Sequence, residues 1–453
     1  MNVRLLFKVV AIFLISLLLL IPIALIDNLV GERQQLRDAV VQDIGRSAGA
    51  AQAIIGPLLV VPYTRTVRSV SEEVEGQPRR TIEKQVSGEL VFLPSDFELS
   101  ASLGVNELSR GIYRARVFDA QSRITGGFAV PQNYGITSEL DDYRFGAPLL
   151  ALGVSDPRGI GHGLSLRWGG ADVAFQPGAS TALLQSGVHA ALPASDPARP
   201  WHTEFAIALS LQGTGDFQVT PVGAESRVHV SSNWPHPSFV GDFLPREREV
   251  TAQGFDARWQ TSFFATNLES IAQACAGAGP GTPACAELST RRFGVTLIDP
   301  VDHYLMSERA TKYAFLFIGL TFAAFFLFEV LRRTSVHPVQ YGLVGLSLAV
   351  FFLLLLSLSE HLGFAPAYSI SAAASTLLIA YYVAHVLGDG KQGALLGGAL
   401  GALYAMLYVI LGSEDYALLI GSLLVFAVLA AIMVLTRKVS WSRFGQLPAA
   451  DGS

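Results

Sequence analysis

The stretch "VQYGLVGLSLAVFFLLLLSLSEHLGF", residues 339–364, runs without a charge until Glu360 and His361 arrive together. An apolar helix of about 20 residues rises ~30 Å, enough to cross the hydrocarbon core of a bilayer. An acid and an imidazole beside such a run fit a proton relay, a metal site or the polar end of a membrane helix. A span that starts near Val339 brings Ser359 to the far side of the core. Glu360 and His361 then fall in a short interfacial loop, which rules out a mid-membrane relay.

The whole chain agrees with a membrane setting. Of its 453 residues, 51% are hydrophobic and 15% charged, and the mean hydropathy is +0.41; soluble chains are about a quarter charged. Runs long and apolar enough to span fall at 9–26, 314–331, 339–359, 367–387, 394–411 and 417–435. The first has Arg4 and Lys8 before it but no small-x-small cleavage site at its end, so it reads as an uncleaved anchor. Arg4 and Lys8, Arg332 and Arg333, Lys391, and Arg437, Lys438 and Arg443 share one side if the spans alternate. The opposite short loops carry no Lys or Arg. The positive-inside rule then puts both termini in the cytoplasm and the long segment after the first span outside it. Arg33, Arg37, Arg309 and Lys312 oppose the rule, but a domain this long crosses largely regardless of charge. The expected division is an anchor at 1–30, a translocated domain at 31–312, a five-helix bundle at 313–436 and a cytoplasmic tail at 437–453.

Residues 31–56 keep helical spacing. The translocated segment then turns to short runs of period-two alternation, such as "IEKQVSGELVFLP" and "TEFAIALSLQGTGDFQVTPVG", punctuated by Gly, Pro, Asn and Asp. Many short strands without intervening helical repeats predict a large β-rich, antiparallel, sandwich-like domain. The charged "SVSEEVEGQPRR", 69–80, reads as a hairpin tip. In "SSNWPHPSFVGDFLPRER", 231–248, three prolines forbid a central strand. Trp234, Phe239 and Phe243 either plug the sandwich or form a periplasmic binding loop for a peptide or glycan. The two cysteines, Cys275 and Cys285, flank a Gly/Pro-rich segment. In an oxidising compartment they predict a local disulfide, with a chain-entropy gain of roughly 2–3 kcal/mol. The spacing is not that of a C-x-x-C redox pair.

Ionisable groups inside a membrane require an explanation. Glu329 has Arg332 and Arg333 at i+3 and i+4, which fits an interfacial ion pair; the alternative is a buried carboxylate facing the bundle. His337 before Pro338 marks a rigid corner or a partner site, and Gln340 and Tyr341 read as interfacial anchors. Gly393, Gly397 and Gly401 form a small-residue stripe for helix packing, with Ser371, Ala372 and Ser375 of the preceding span as a comparable surface. No G-x-S-x-G, H-E-x-x-H, C-x-x-C or P-loop signature occurs. "GIGHG", 159–163, lacks a strand-to-helix setting, and His229 and His236 lack further ligands, so neither a cofactor nor a metal is expected. No basic patch suggests nucleic acid.

"RGIYRARVFDA", "SSNWPHPSFVGDFLP", "FGVTLIDPVDHYLMSERATKYAFLFIGLTFAAFFLFEVL" and the stretch quoted first resemble the CreD family of Gram-negative inner-membrane proteins, over nearly the whole chain. The segment around the two cysteines is the weakest match and looks like a local insertion. The resemblance implies a role in cell-envelope integrity and stress response, with no established catalytic residue, cofactor or transported substrate. The expected protein is a non-enzymatic, multi-pass inner-membrane protein whose periplasmic domain binds an envelope component or membrane protein. Transport or lipid handling by the bundle is the alternative. Glu360 and His361 are expected to dock the domain on the bundle through Arg309 or Lys312. Oligomeric state is left open.

Overall fold

The computed structural model describes residues 3–70, 81–279, 281–299, 302–332, 336–387, 389–413 and 416–437. The expected hairpin tip at 71–80, Arg333, the side chain of Arg332 and the tail from 438 onward lie outside the described residues. The chain forms two compact units, Met1–Arg37 with Val301–Ser453, and Asp38–Pro300.

Helices α1 (Val3–Leu18) and α2 (Leu20–Ala48) are parted only at Leu19. Three residues on, Pro22 has no N–H to give the Leu18 carbonyl, and its ring crowds that carbonyl. Hydrogen bonds from Leu19 N to Ile15 O (3.0 Å) and from Ile23 N to Leu19 O (3.4 Å) carry the helix through the break.

The second unit opens with β1 (Gln52–Val70), β2 (Thr81–Phe92), β3 (Asp96–Arg110) and β4 (Tyr113–Val130). Shorter strands follow: β5 (Tyr143–Phe145), β6 (Leu149–Val154), β7 (Ser165–Trp168), β8 (Ala171–Val173), β9 (Gln176–Pro177) and β10 (Gly187–Ala191). After β11 (Trp201–Thr214) come β12 (Asp216–Thr220), β13 (Glu225–Ser232), β14 (Pro237–Gly241), β15 (Glu247–Thr251) and β16 (Gly254–Ser262). Helices α3 (Phe263–Thr266), α4 (Leu268–Ala278) and α5 (Pro283–Thr290) precede β17 (Phe293–Leu297).

One sheet runs β14-β17-β12-β1-β6-β10-β9, with β2 and β5 also on β1; the other runs β15-β16-β13-β3-β4-β11-β7-β8. Alternate residues of β3 from Phe97 to Val105 point inward, the period-two burial of a sheet with one wet face. Aromatic rings join the sheets: Phe118 of β4 meets Phe217 of β12 edge-on at 5.9 Å, and Phe239 of β14 meets Trp259 of β16 at 5.8 Å. Two pairings are parallel, β1 with β12 and β13 with β3, so the sandwich is mixed where the sequence predicted an antiparallel one. Alternation fixes which face a residue takes. It carries no information on the direction of a partner that arrives after a long connection.

Where α2 ends, the unit is knotted by polar groups. Gln52, 1% exposed, donates through Nε2 to the carbonyls of Asp156 (3.1 Å) and Gln212 (2.9 Å). Its Oε1 accepts from Asp156 N at 3.3 Å, with Ser155 Oγ, which donates to Ala51 O at 2.8 Å, lying 3.3 Å away. Thr214 Oγ1 donates to Gly49 O at 2.8 Å. The buried Asp156 carboxylate accepts from Ala50 N (3.0 Å) and from Arg158 Nε and Nη2. Arg158 beside it, together with these N–H groups, outweighs burial and holds the Asp156 carboxyl down at about 2. A depressed carboxyl stabilises the fold above its ordinary range and loses that contribution as pH falls through the folded value. Asp156→Asn should therefore cost on the order of 2 kcal/mol at pH 7. In paired thermal melts the gap from wild type should close between about pH 4 and 2. A gap unchanged at low pH would show that the carboxylate charge is not the stabilising feature.

The first unit holds α6 (His303–Lys312), α7 (Ala314–Arg332), α8 (Pro338–Leu362), α9 (Phe364–Leu387), α10 (Gly390–Gly412) and α11 (Ala417–Thr436). Among the described residues five helices are long and apolar enough to cross a membrane: Phe7–Ala48, Pro338–Leu362, Phe364–Val386, Gly390–Gly412 and Ala417–Val434. His303–Lys312 with Ala314–Leu327, bent by 49°, makes a sixth if the pair counts as one span. The bend lies at Tyr313, whose N–H is shared between the carbonyls of Arg309 and Ala310, a tightened last turn. The straight span expected from 314 is thus preceded by a helix that the sequence-based division had placed in the β-rich domain. Asp302, Glu308 and Thr311 find their partners on α2 within the helical unit, and that draws α6 into it.

Candidate functional site

The first helix lies antiparallel to α6 and α7, because its polar side chains pair with theirs in reverse order. Arg37 pairs with Asp302, Gln34 Nε2 donates to Glu308 Oε2 at 3.2 Å, and Thr311 Oγ1 donates to Asp27 Oδ1 at 2.6 Å. At the other end Lys8 pairs with Glu329. Between Lys8 and Asp27 the helix climbs about 28 Å at ~1.5 Å per residue, close to the thickness of a hydrocarbon core. Leu19, Ile23, Ile26 and Val30 face inward, each 8% exposed or less, while Phe13, Leu14, Leu18 and Ile21 are open to the surroundings. The two polar layers thus bracket an apolar slab.

Glu329 is buried, 7% exposed, and fully engaged. Besides Lys8 it accepts from Tyr341 Oη (2.8 Å) and from Val336 N (3.2 Å). Of the two sequence alternatives, the buried carboxylate facing the bundle is the one observed. Among the described residues its cation is Lys8, 321 positions away in the chain. Tyr341, expected as an interfacial anchor, is a fully buried ligand of that carboxylate, packed edge-on against Phe322 and Phe325. His337 caps α8: its Nδ1 accepts from Val339 N while Gln340 Oε1 accepts from His337 N at 2.9 Å. With Pro338 at the first position, this is the rigid corner expected.

At the opposite layer, Glu360 and His361 belong to the last turn of α8, so the expected loop shrinks to Gly363, held at φ +79. Glu360 accepts from Tyr304 Oη at 3.2 Å and faces Arg33 Nε at 3.6 Å. Lys312 instead pairs with Glu308 at 2.7 Å. Glu360 therefore ties α2, α6 and α8 together inside the helical unit, to which Arg309 and Lys312 of α6 also belong. His361 is exposed. Burial raises the Asp302 carboxyl, but Arg37 and the N–H groups of Leu305 and Tyr304 outweigh it and hold the group below its usual range.

Between the layers the bundle is packed with rings. Phe351 lies 4.6 Å from Tyr404, Tyr404 lies 4.6 Å from Phe317, and all three are at most 3% exposed. Tyr368 Oη donates to Tyr404 O at 2.6 Å, and Tyr404 Oη donates to Ser375 Oγ at 3.1 Å. Gly393 and Gly397 of α10 sit against Ala384 and Ala380 of α9, where an added Cβ would come within 2.6 and 2.8 Å. Gly401 has open space, so the small-residue stripe serves packing over two of its three positions.

In the β-rich unit the Pro-rich segment is an edge strand, β14, compatible with Pro237 at its start. Phe239 packs on Phe255 and Trp259, and Phe243 on Phe293, both against the core. Trp234 lies under Arg116 at 5.0 Å and donates to Ile298 O. These three aromatics plug the sandwich. Cys275, 1% exposed on α4, is joined to Cys285 on α5 across 4.8 Å between Cα atoms, so the expected disulfide clamps a pair of short helices. Among the described residues no group of His, Cys, Asp and Glu could hold a metal ion.

Lys8, Arg33, Arg37, Asp302 and Tyr304 were not singled out by the sequence as site residues. One signal could have found Lys8, Arg37 and Asp302: positions 37 and 302, 34 and 308, 27 and 311, and 8 and 329 have nearly constant sums, the mark of two antiparallel helices with matched polar ends.

This architecture defines a multi-pass membrane protein with a large β-rich unit between its first and later spans. The family model described as "Inner membrane protein CreD" matches residues 4–442. The chain is 38% identical over 449 residues to the inner membrane protein CreD of Escherichia coli (strain K12), covering 98% of this chain and 95% of that protein. The chain belongs to the CreD family.

Proposed function

We propose that this protein supports the integrity of the cell envelope from the inner membrane as a non-catalytic component. The β-rich unit is its binding part, on the periplasmic side, and the helices are its scaffold, with both chain termini in the cytoplasm. The observation that carries this reading is the inside of the helical unit. Its ionisable groups pair at the two ends, and its middle is filled by Phe317, Phe351 and Tyr404 in direct contact. A conduit needs polar groups or broken helices facing a path at mid-depth, whereas the mid-depth hydroxyls of Tyr368 and Tyr404 are bonded to Tyr404 O and Ser375 Oγ among packed rings.

Full-length chains with Tyr404→Phe and Ser375→Ala, alone and together, should restore envelope-stress tolerance to a strain deleted for this protein as well as wild type does. Loss of rescue by a chain that is folded and in the membrane would shift the function to the bundle. Photocrosslinkers placed on the β-rich unit should capture the same envelope component in wild type and in these variants.

A further inference from the structure

Strands β1 and β6, the segment 182–186 and helix α5 enclose a cleft of about 510 Å³ in the β-rich unit, within the 300–1,000 Å³ range of small-molecule sites. Its apolar lining includes Ile55, Ala182, Cys285 and Ala286, together with the buried Leu183, Leu184 and Leu288. Hydroxyls ring it, but their protons are committed to main-chain carbonyls. Ser186 Oγ donates to Val154 O at 2.7 Å, Thr282 Oγ1 to Gly279 O at 3.0 Å, and Ser289 Oγ to Ala286 O at 2.7 Å. Thr290 Oγ1 donates to Glu287 O, and Ser155 Oγ to Ala51 O. Arg292 is the one charged side chain among the described lining residues. It is half-buried, and no described residue pairs with its guanidinium, whereas Arg291 beside it is held by Glu287 and Asp242.

We infer that this cleft binds a single-chain anionic amphiphile, a long-chain carboxylate or a lysophospholipid. Its anion meets Arg292, and its chain lies against Ile55, Cys285 and Ala286. A guanidinium half-withdrawn from water favours an anionic partner, with which it makes charge-assisted hydrogen bonds. A peptide brings a carbonyl at every residue and needs donors along its length. Apart from the exposed Gln185 amide and Arg292, the side chains here have none to spare. A ligand with its polarity gathered in one anion and an otherwise apolar body fits that supply. The disulfide at Cys285 fixes the α5 wall to α4, so the site is formed before the ligand arrives. The inference rests on the reading of the β-rich unit as the binding part and names the site and the ligand class.

The test uses the full chain in amphipol with a photoreactive C16 fatty acid, locating the crosslinks by mass spectrometry. Label is expected on the segments 182–186 and 281–292. Laurate and a lysophosphatidylglycerol are competed separately, to tell a carboxylate from a phosphate source, and at least one should displace the probe. Dodecanol and dodecyltrimethylammonium should not. Arg292→Ala should weaken labelling about ten- to a hundredfold, with Arg292→Lys between it and wild type. Ala286→Trp, at an exposed lining position, should abolish labelling without lowering the melting temperature. Equal labelling of Arg292→Ala, equal competition by dodecanol, or label confined to other segments would overturn the inference. If Arg292→Ala loses the ligand but still rescues the deletion strain, the site stands and the functional reading fails. If labelling ignores Arg292 while crosslinks still capture an envelope component, this inference fails alone.

Discussion

Glu329→Ala is expected to cost the helical unit about 3–5 kcal/mol, the largest loss from any single polar change there. The truncation strands Lys8 without its carboxylate and leaves Tyr341 Oη and Val336 N with no acceptor, in a layer where water is scarce. Glu329→Gln keeps an acceptor for the phenol and the amide but loses the ion pair, so it should fall between. The pair itself need not be worth that much, because replacing both partners by apolar groups removes the uncompensated charge as well. The double variant Lys8→Met with Glu329→Leu should therefore recover most of the loss. Unfolding of wild type, Lys8→Met, Glu329→Leu and the double variant in nanodiscs, beside Glu329→Ala and Glu329→Gln, gives the cycle directly. A double variant no more stable than Glu329→Ala would mean that Lys8 is not the partner on which Glu329 depends.

The second large effect belongs to Gln52. Its amide uses both ends, giving to two carbonyls and taking from one N–H, at the point where α2 gives way to β1. Gln52→Leu matches its size but orphans the carbonyls of Asp156 and Gln212 and the N–H of Asp156 in a site sealed from solvent. Unsatisfied buried groups cost about 1–3 kcal/mol each, which makes a loss of roughly 3–5 kcal/mol reasonable for the β-rich unit. Gln52→Glu separates size from hydrogen bonding. Its carboxylate would face two carbonyls, so the variant should be least stable at neutral pH and gain on wild type as acid protonates it. A Gln52→Leu protein that melts within a degree or two of wild type would show that this joint relaxes around the change.

Several parts of this structure were legible because they rest on periodicity and length. The uncharged run at 339–359 and its counterparts at 367–387, 394–411 and 417–435 could only be helices in lipid, since no other open structure satisfies its own backbone there. The period-two alternation expected of the translocated segment is present in β3, where Phe97, Leu99 and Ala101 point inward. The prolines of "NWPHPSF" limited that segment to an edge, where β14 lies. The two cysteines, ten positions apart, were close enough to pair whatever the fold around them.

What failed to be legible was every pairing across long distances. Glu329 showed two arginines within one turn, the nearest explanation for a carboxylate at a helix end, and nothing local pointed to Lys8. The alternation of spans places Glu360 on the same membrane face as Arg309 and Lys312, but it gives no sign that α2 brings Arg33 to it and α6 brings Tyr304. Parallel pairing of β1 with β12 was hidden for the same reason. Cleft formation beside Arg292 needed α5 and β6 to meet, and each alone is an unremarkable segment.

By itself, then, the sequence determined the spans, the β-rich character of the segment between them, the inward faces and the short-range disulfide, because local geometry and the cost of exposed backbone in lipid decide those. Only the tertiary structure decided which charges neutralise each other, which strands run parallel and where Arg292 joins the lining of a largely apolar cleft. Charges act over a few ångströms of space without regard to chain separation, so their partners exist only once the helices and sheets have been brought together.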